Sequence, residues 1–329
     1  MKQIGIIGAG AWGTALALAI ARSGKKVLLY AREPEVVEEI NEKKENGLYL
    51  KHIRIENGIV ATNKLQEVAD SDILLSVTPA QFTRGTCREL KPFYKKGTPF
   101  VLCSKGMEKG TGALLSEVAR EEIPDAEIAV LSGPAFAAEV ALKLPTAVTI
   151  SATQIEKAMM LSYALGSKYF RPYASDDIIS AQVGGALKNV IAIAAGIAEG
   201  ARLGDNARAV IVTRGLHEMS RLAVALGGKE KTLDGLSGLG DLVLSATSQQ
   251  SRNFSIGRLL GEADGSQEIL SLNEKTVEGA YTVCAVLDRA KAAGVEMPIC
   301  QGVYEILYKK TPIRTVLECL VSRPFKAED

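Results

Sequence analysis

The sequence predicts an α/β N-terminal domain with a mostly parallel sheet, followed by an all-α C-terminal domain. Two observations support this division. Up to residue 175, short apolar or β-branched runs alternate with polar helical stretches, which is typical of βαβ units. From residue 176 onward, long alanine-rich stretches have apolar residues at helical spacing, and no further clear strand is predicted. We therefore place the two domains at residues 1–175 and 176–329.

Six runs of the first domain are predicted strands, and helical segments separate several of them. The strands are residues 3–7, 26–30, 73–77, 100–103, 128–131 and 147–151, with a weaker edge strand at 169–172. The intervening helical segments include residues 14–23, 35–44 and 112–121. Helices that connect parallel strands cover both faces of a sheet. In the second domain, helices are predicted at residues 177–199, 207–226, 256–260, 282–293 and 303–307.

Charge and composition exclude several classes of protein. The chain has 39 Lys and Arg against 38 Asp and Glu, so no net basic field attracts nucleic acid or anionic lipid. Two histidines, His52 and His217, cannot build a zinc cluster. The apolar residues 4–21 resemble a secretory signal, but four glycines interrupt them, and no membrane span is predicted elsewhere. We expect no nucleic-acid partner and no membrane insertion.

The cysteines indicate a reducing compartment. Their number is odd, and no two of them form a CxxC pair. A disulfide framework usually has an even number of cysteines at regular spacing. We therefore expect a cytoplasmic protein with free thiols. The five cysteines are Cys87, Cys103, Cys284, Cys300 and Cys319.

A glycine-rich turn follows the first predicted strand. Residues 8–13 read GAGAWG, which matches GxGxxG, and the turn opens the next predicted helix. A dinucleotide-binding turn requires this order of strand, turn and helix. Gly8 permits the tight turn, Gly10 lets the backbone approach a pyrophosphate, and Gly13 allows close packing of helix on strand. Because the helix N-terminus offers N–H groups to phosphates, we predict a Rossmann-type domain. A glycine turn without a ligand is the alternative.

The end of the second predicted strand bears on the choice of cofactor. An NAD-preferring site usually has Asp or Glu about 20 residues after the turn, at the end of this strand. Residues 28–33 read LLYARE, with no acid on the strand itself. Arg32 stands where a guanidinium can clamp a 2′-phosphate, which favours NADPH over NADH. Two alternatives stay open: Arg32 is a solvated loop residue, or Glu33 accepts from a ribose hydroxyl.

One lysine is prominent in the second domain. Residues 181–190 read AQVGGALKNV, and on a helix Lys188 shares a face with Gly184, Gly185 and two alanines. Each glycine costs the helix ~1 kcal/mol relative to alanine. Because the sequence tolerates this cost, we predict that another group approaches the helix closely at the glycines. A lysine on such a surface can point at a substrate. The alternative is a surface lysine on a helix that packs against another helix.

Four segments contain residues suited to binding an anion. Residues 104–106 (SKG) and 132–135 (SGPA) each follow a predicted strand, where ligands of open α/β sheets gather. The other segments are 238–242 (GLGDL) and 251–253 (SRN). Ser251 is a predicted N-cap, and an arginine beside an exposed helix start suits an anion. Taken singly, each segment also has a structural interpretation as a loop, a cap or a solvated arginine.

Eight motifs occur in order along nearly the whole chain. They are GAGAWGTALA (8–17), SKGME (104–108), SGPAFAAEV (132–140), GGALKNVIA (184–192), TRG (213–215), GLGDLV (238–243), SRN (251–253) and TVEGA (276–280). In this set and order the chain resembles the bacterial-type NAD(P)-dependent glycerol-3-phosphate dehydrogenases. The resemblance implies a Rossmann-type domain joined to an all-α domain, as in 6-phosphogluconate dehydrogenase.

The resemblance also implies an activity. The family reduces dihydroxyacetone phosphate, a small phosphorylated triose, to sn-glycerol 3-phosphate with NADPH or NADH. The product supplies glycerophospholipid synthesis. A homodimer and no metal ion are implied as well. NADPH is the preferred cofactor on the argument from Arg32.

Family roles carry over to individual residues of this chain. Lys188 resembles the proton donor to the ketone oxygen, with Lys105 and Asp241 as its polar companions in catalysis. The substrate contacts implied are Lys105, Gly133, Ala135, Lys188, Asp241, Ser251, Arg252 and Asn253. The cofactor contacts implied are Gly8, Gly10, Ala11, Trp12, Gly13, Arg32, Lys105, Ala137, Arg252, Thr276, Val277 and Glu278. The family commonly has a hydroxyl residue at Ala135, so only a backbone contact can survive there.

Two other functions remain alternatives. One is a β-hydroxyacid-type reductase of the same architecture, which would accept substrates that lack a phosphate. The other is a nicotinamide-binding sensor without catalysis, which would keep the glycine turn and need no Lys188.

Overall fold

The computed structural model describes residues 3–264, 277–325 and 327, and the chain divides into two compact units. The first unit is Met1–Glu108 with Ala113–Gln182, and the second is Lys109–Gly112 with Val183–Asp329. The first unit is α/β with a mostly parallel sheet, and the second is helical. The fold class predicted from the sequence is therefore confirmed.

The first unit is built on an eight-stranded sheet in the order β3-β2-β1-β4-β5-β6-β7-β8. Neighbouring strands run parallel except for β6 and β7, which are antiparallel. The order reverses between β1 and β4, which is where open α/β sheets bind ligands at their carboxyl ends. The strands are β1 Gln3–Ile7, β2 Lys26–Tyr30, β3 Ile59–Thr62, β4 Ile73–Ser76, β5 Pro99–Leu102, β6 Glu127–Ser132, β7 Thr146–Ala152 and β8 Phe170–Ser175.

Among the described residues of the first unit, seven α-helices accompany this sheet, and both of its faces are buried. Successive side chains of a strand point to opposite faces. On β4, Ile73 and Leu75 belong to one apolar cluster while Leu74 belongs to another. The helices are α1 Ala11–Ala21, α2 Pro34–Glu38, α3 Leu65–Ala69, α4 Thr83–Leu90, α5 Leu115–Glu122, α6 Ala137–Ala141 and α7 Ile155–Leu165.

The structure differs from the sequence-based expectation at several elements. The edge strand β3 was not predicted, although Ile59-Val60 follows a glycine and is β-branched. The helix predicted at 35–44 is divided: α2 ends at Glu38, and a π-helix follows over Glu39–Lys43 with Lys44, at φ 59°, as its C-cap. The helix predicted at 112–121 begins only at Leu115, because Gly112 has φ 67°.

The second unit is helical throughout its described residues, as predicted. Its first helix begins in the first unit, and three of its other helices, α10, α11 and α15, had no counterpart in the prediction. The helices are α8 Ile178–Gly200, α9 Asp205–Ala225, α10 Glu230–Leu233, α11 Asp241–Thr247, α12 Arg252–Glu262, α13 Glu278–Ala292, α14 Pro298–Lys309 and α15 Ile313–Val321. A π-helix, Leu236–Gly240, precedes α11.

Helices α8 and α12 cross at glycines on both sides. A Cβ on Gly257 of α12 would overlap the carbonyl oxygen of Ile193, and a Cβ on Gly196 of α8 would overlap that of Phe254. Two helices can approach this closely only where neither has a side chain. These glycines therefore fix α12 against α8.

We expect Gly257→Ala to lower the free energy of unfolding by ~2 kcal/mol, because overlap with rigid backbone outweighs the ~1 kcal/mol gain in helix propensity. Gly85→Ala in α4 is the matched control. A Cβ at Gly85 meets no atom within 4 Å, so this variant is expected to be slightly stabilised. Urea unfolding of both variants measures the difference. A Gly257→Ala variant as stable as Gly85→Ala would contradict the packing argument.

Helix α8 is long and apolar enough to cross a membrane, as judged by length and composition. No membrane-spanning segment was predicted from the sequence at this position. However, 89% of its apolar window is buried inside the protein. A buried apolar helix is also what the core of a soluble protein contains, so this feature is weak support for a membrane span.

All five cysteines lie in the described part of the chain, and all are free. Burial raises the pKa of Cys87 to about 12, and it also raises the pKa values of Cys103 and Cys300. A thiol with a raised pKa stays protonated at neutral pH and is a poor nucleophile. We therefore interpret these three buried cysteines as packing residues of the core and not as nucleophiles.

Candidate active site

The glycine turn lies between β1 and α1. Gly8 has φ 117°, and its N–H donates to the carbonyl oxygen of Tyr30 at 3.1 Å. A Cβ on Gly13 would overlap the carbonyl oxygen of Gly8, so helix and turn can pack this closely only with glycine there. A Cβ on Gly10 would meet no atom within 4 Å. The turn therefore leaves open space beside Gly10, which suits the approach of a phosphate group.

Helix α1 begins at Ala11, earlier than the predicted residue 14, with Gly10 as its N-cap. The chain's single tryptophan, Trp12, is therefore in the first turn of α1. Its ring centroid lies 6.5 Å from that of Phe170. The indole Nε1 is buried, and no hydrogen-bond partner for it occurs among residues 3–264 and 277–325. A dinucleotide at the turn would be near this tryptophan.

Arg32, in the loop after β2, has an exposed side chain. Its side chain is 81% exposed, and its Nη2 lies 3.4 Å from the carboxylate of Glu33. A surface pair at this distance contributes little to stability. Arg32 is therefore accessible to a ligand, and so is the neighbouring carboxylate.

A lysine side chain connects the segments that follow β5 and β6. The Nζ of Lys105 donates to the carbonyl oxygen of Gly133 at 2.8 Å. Gly133 has φ 145°, and a Cβ there would lie 2.9 Å from the Cα of Val148. Ala135 and Ala137 follow, partly buried, and both pack against the apolar core of the first unit. The structure thus brings Lys105 and Gly133 together at the carboxyl ends of two neighbouring strands inside the sheet.

In the second unit, Lys188 forms a buried ion pair. Its Nζ lies 2.6 Å from Oδ1 of Asp241 and 2.9 Å from the hydroxyl of Ser245. The lysine side chain is 11% exposed and Asp241 is fully buried. Asp241 begins α11, where a carboxylate is favoured by the helix dipole. Together these contacts hold an ammonium group in one place, which is what a proton donor needs.

Ser245 was not predicted from the sequence, although its spacing indicates the contact. It stands four residues after Asp241, and residues four apart on a helix share a face. Gly184 has a different role from the one expected. A Cβ on Gly184 would overlap the backbone oxygen of Ser237, so the close approach there is made by the protein's own backbone.

The segment 251–253 begins α12. Ser251 is its N-cap, and its hydroxyl accepts from the N–H of Phe254 at 3.3 Å, as the sequence predicts. Arg252 is exposed in the first turn, and within the described ranges no acidic side chain pairs with it. An unpaired guanidinium beside a helix N-terminus suits a phosphate.

Asn253 is buried in a network of its own. Its Nδ2 donates to Oδ1 of Asn189 at 3.0 Å, and its Oδ1 accepts from the N–H of Gly279 at 3.1 Å. Asn189, next to Lys188, was not singled out from the sequence; its Nδ2 is buried without a partner in the described part of the chain. Val277 is buried just before α13 and Glu278 begins it, whereas Thr276 lies outside the described residues.

No group of three or more His, Cys, Asp or Glu side chains is placed to hold a metal ion in the ranges that the structure describes. The charged groups of both units are instead suited to proton transfer and anion binding. The first unit has a glycine turn with open space, and the second has a fixed ammonium and an exposed arginine.

Two family models match the chain. The model of the NAD-dependent glycerol-3-phosphate dehydrogenase N-terminus matches residues 3–158, and that of the C-terminus matches residues 177–318. Curated relatives from Parvibaculum lavamentivorans and Novosphingobium aromaticivorans, both named glycerol-3-phosphate dehydrogenase [NAD(P)+], are 47% and 49% identical. Each alignment covers 99% of this chain and 98% of the relative.

Solved structures agree with these matches. The crystal structure of glycerol-3-phosphate dehydrogenase from Coxiella burnetii is 38% identical, with a TM-score of 0.91 over 98% of this chain and 99% of that chain. A ketopantoate reductase from Ralstonia eutropha is 18% identical, with a TM-score of 0.59 over 97% of this chain and 99% of that chain. The second likeness concerns the fold alone.

Proposed function

Because the chain belongs to the family of NAD-dependent glycerol-3-phosphate dehydrogenases, we propose that it interconverts dihydroxyacetone phosphate and sn-glycerol 3-phosphate. The reduction consumes one NAD(P)H and one proton for each ketone. The observation that carries the proposal is the ammonium of Lys188, held by Asp241 and Ser245 at 2.6 and 2.9 Å. A reaction that builds negative charge on a ketone oxygen needs such a group.

The residues of the first unit fit a dinucleotide. The open space at Gly10 and the exposed Arg32 leave room for a pyrophosphate and a 2′-phosphate. A bound nicotinamide would supply the hydride for the ketone carbon. We assign cofactor contacts to Gly8, Gly10, Ala11, Trp12, Gly13, Arg32, Lys105, Ala137, Arg252, Thr276, Val277 and Glu278.

Residues of this chain then perform the proton transfer. Lys188 stabilises the developing oxyanion and delivers a proton to it from Nζ, while Asp241 keeps the ammonium oriented. Arg252 and Ser251 bind the phosphate, whose binding energy orients the ketone. We assign the remaining substrate contacts to Lys105, Gly133, the backbone at Ala135 and Asn253.

The test is oxidation of NADPH by purified protein with dihydroxyacetone phosphate, compared with dihydroxyacetone and with a 2-keto acid. Turnover is expected with the phosphorylated ketone and little with the other two. A folded protein that reduces only the keto acid would instead be a reductase of the same architecture. Tight cofactor binding without turnover of any ketone would favour a nicotinamide sensor.

The exposed Arg32 is expected to favour NADPH over NADH. We expect Arg32→Ala to weaken NADPH about tenfold while NADH binding stays nearly unchanged, because only NADPH has a 2′-phosphate for the guanidinium. Parallel initial rates with the two cofactors measure the preference. Arg120→Ala is the control, since Arg120 is an exposed arginine of the same unit on α5. An unchanged preference in Arg32→Ala would contradict this role.

Further assignments rest on family membership. We propose that residues 1–175 bind the cofactor and residues 176–329 the substrate, and that the protein is a cytoplasmic homodimer. Its product would supply glycerophospholipid synthesis. The odd number of cysteines and their free thiols support a reducing compartment. Light scattering after gel filtration tests the dimer.

A further inference from the structure

A buried asparagine outside the motifs contacts the glycine turn. Asn46 is fully buried, and its Nδ2 donates to the carbonyl oxygen of Ala9 at 2.9 Å and to the hydroxyl of Thr14 at 2.8 Å. The Thr14 hydroxyl in turn donates to the same Ala9 oxygen at 3.3 Å. The carbonyl between Gly8 and Gly10 is therefore fixed by two donors.

Fixing this carbonyl also fixes the next N–H. The Ala9–Gly10 peptide is trans, so the N–H of Gly10 points opposite to the carbonyl of Ala9. No acceptor for this N–H is found in the described part of the chain, and the position of a Cβ on Gly10 is open. The N–H is thus directed away from Asn46 and is available to an anion.

Asn46 is itself held firmly. It follows the π-helix Glu39–Lys43, and the N–H of the next residue, Gly47, donates to the carboxylate of Glu39 at 3.1 Å. Its own carbonyl accepts from the N–H of Leu50 at 2.8 Å, and Leu50 is buried in the core of the first unit. A side chain on such a support has little freedom to rotate.

The arrangement is costly for stability alone. The Oδ1 of Asn46 is buried, with no hydrogen-bond partner among residues 3–264 and 277–325. An unsatisfied buried oxygen is destabilising, so Oδ1 offsets part of the stability that the two hydrogen bonds donated by Nδ2 contribute. What the amide supplies is a fixed orientation of the Ala9 peptide.

We propose that Asn46 is a positioning residue for the cofactor pyrophosphate. It holds the Ala9 carbonyl so that the Gly10 N–H is aimed at a phosphate oxygen before the ligand binds. This inference rests on the proposed function, in which the glycine turn holds a nicotinamide dinucleotide. Preorganised donors gain affinity because the ligand does not have to order them.

The experiment compares ADP-ribose, which contains the pyrophosphate, with adenosine, which has no phosphate. Asn46→Leu is expected to raise the dissociation constant of ADP-ribose about tenfold and that of adenosine less than about twofold. Calorimetric titration measures both constants. A merely structural role would weaken the two ligands equally.

Asn41→Leu is the matched control. Asn41 also binds backbone, since its amide pairs with the N–H and carbonyl of Ala61 at 2.8 and 2.9 Å, but that site is on β3. We expect Asn41→Leu to bind ADP-ribose like the unsubstituted protein. A tenfold loss in this control as well would overturn a role specific to Asn46.

A second variant keeps the test decisive if Asn46→Leu does not fold. Thr14→Val removes the other donor to Ala9 and is expected to weaken ADP-ribose severalfold, while Thr14→Ser restores the affinity. Unchanged ADP-ribose affinity in Asn46→Leu, or in Thr14→Val when the first variant is unfolded, overturns the inference. If the unsubstituted protein binds neither ADP-ribose nor NADPH, the proposed function fails instead.

Discussion

Replacing Lys188 by alanine is expected to lower turnover about a thousandfold while cofactor affinity stays within about twofold. The ammonium is the cation that Asp241 and Ser245 hold in the second unit. Without it, the oxyanion loses the ammonium that stabilises it and the positioned acid that delivers its proton. Steady-state kinetics with dihydroxyacetone phosphate measure turnover, and quenching of Trp12 fluorescence measures cofactor binding.

Stability has to be measured together with this loss. Lys188→Ala removes the ammonium that lies 2.6 Å from the buried carboxylate of Asp241, which is expected to cost ~3 kcal/mol in the free energy of unfolding. The double variant Lys188→Met/Asp241→Asn removes that carboxylate and should regain part of the stability. It is still expected to be inactive. Appreciable turnover in a folded double variant would show that Lys188 is structural.

The surface pair Lys157 and Glu127 supplies the control for Lys188. Their Nζ and Oε2 atoms are 2.8 Å apart, but the lysine side chain is 40% exposed. Such pairs contribute little to stability in water. We expect Lys157→Ala to keep both turnover and stability. A comparable loss in this variant would mean that removing any paired lysine impairs the protein.

Arg252→Ala is expected to raise the KM for dihydroxyacetone phosphate about a hundredfold, because an arginine pairs with phosphate through two parallel hydrogen bonds. The slow reduction of unphosphorylated dihydroxyacetone should be unaffected. This contrast separates phosphate binding from damage to the site. Initial rates over a range of both substrates measure it.

Arg258→Ala is the control on the same helix. Arg258 lies in α12 six residues further on, and its Nη1 is paired with the carboxylate of Glu262 at 2.7 Å. We expect its KM values to match those of the unsubstituted protein. Equal losses for the phosphorylated and unphosphorylated ketones in Arg252→Ala would refute a phosphate role. The KM for NADPH is measured in parallel, because Arg252 is also assigned to the cofactor.

Much of the fold could be predicted because the signals are local. Strands β1 and β2 were predicted at the bounds they have, since each is a short apolar run bordered by polar or glycine residues. Helix α8 was predicted within one residue at each end, because its apolar spacing persists for more than twenty residues. Strand β3 escaped prediction because four residues between loops give too short a pattern.

The candidate site was likewise predicted from the sequence only in part. Glycine spacing and strand ends predicted the turn at Gly8 and the segment at Lys105. The ordered motifs pointed to Lys188 and Asp241, which the structure places 2.6 Å apart. Asn46 is 37 residues from Ala9 along the chain, and no local pattern indicates that the two residues are in contact.

The sequence by itself determined the α/β and all-helical halves, the glycine turn and the chemical groups available, because periodicity and backbone preference act over a few neighbouring residues. Only the tertiary structure decided that β7 runs antiparallel to β6, that Gly184 makes room for the backbone of Ser237, and that Asn46 holds the turn. These features depend on hydrogen bonds and close packing between segments far apart in the chain, which form only when the whole core is assembled.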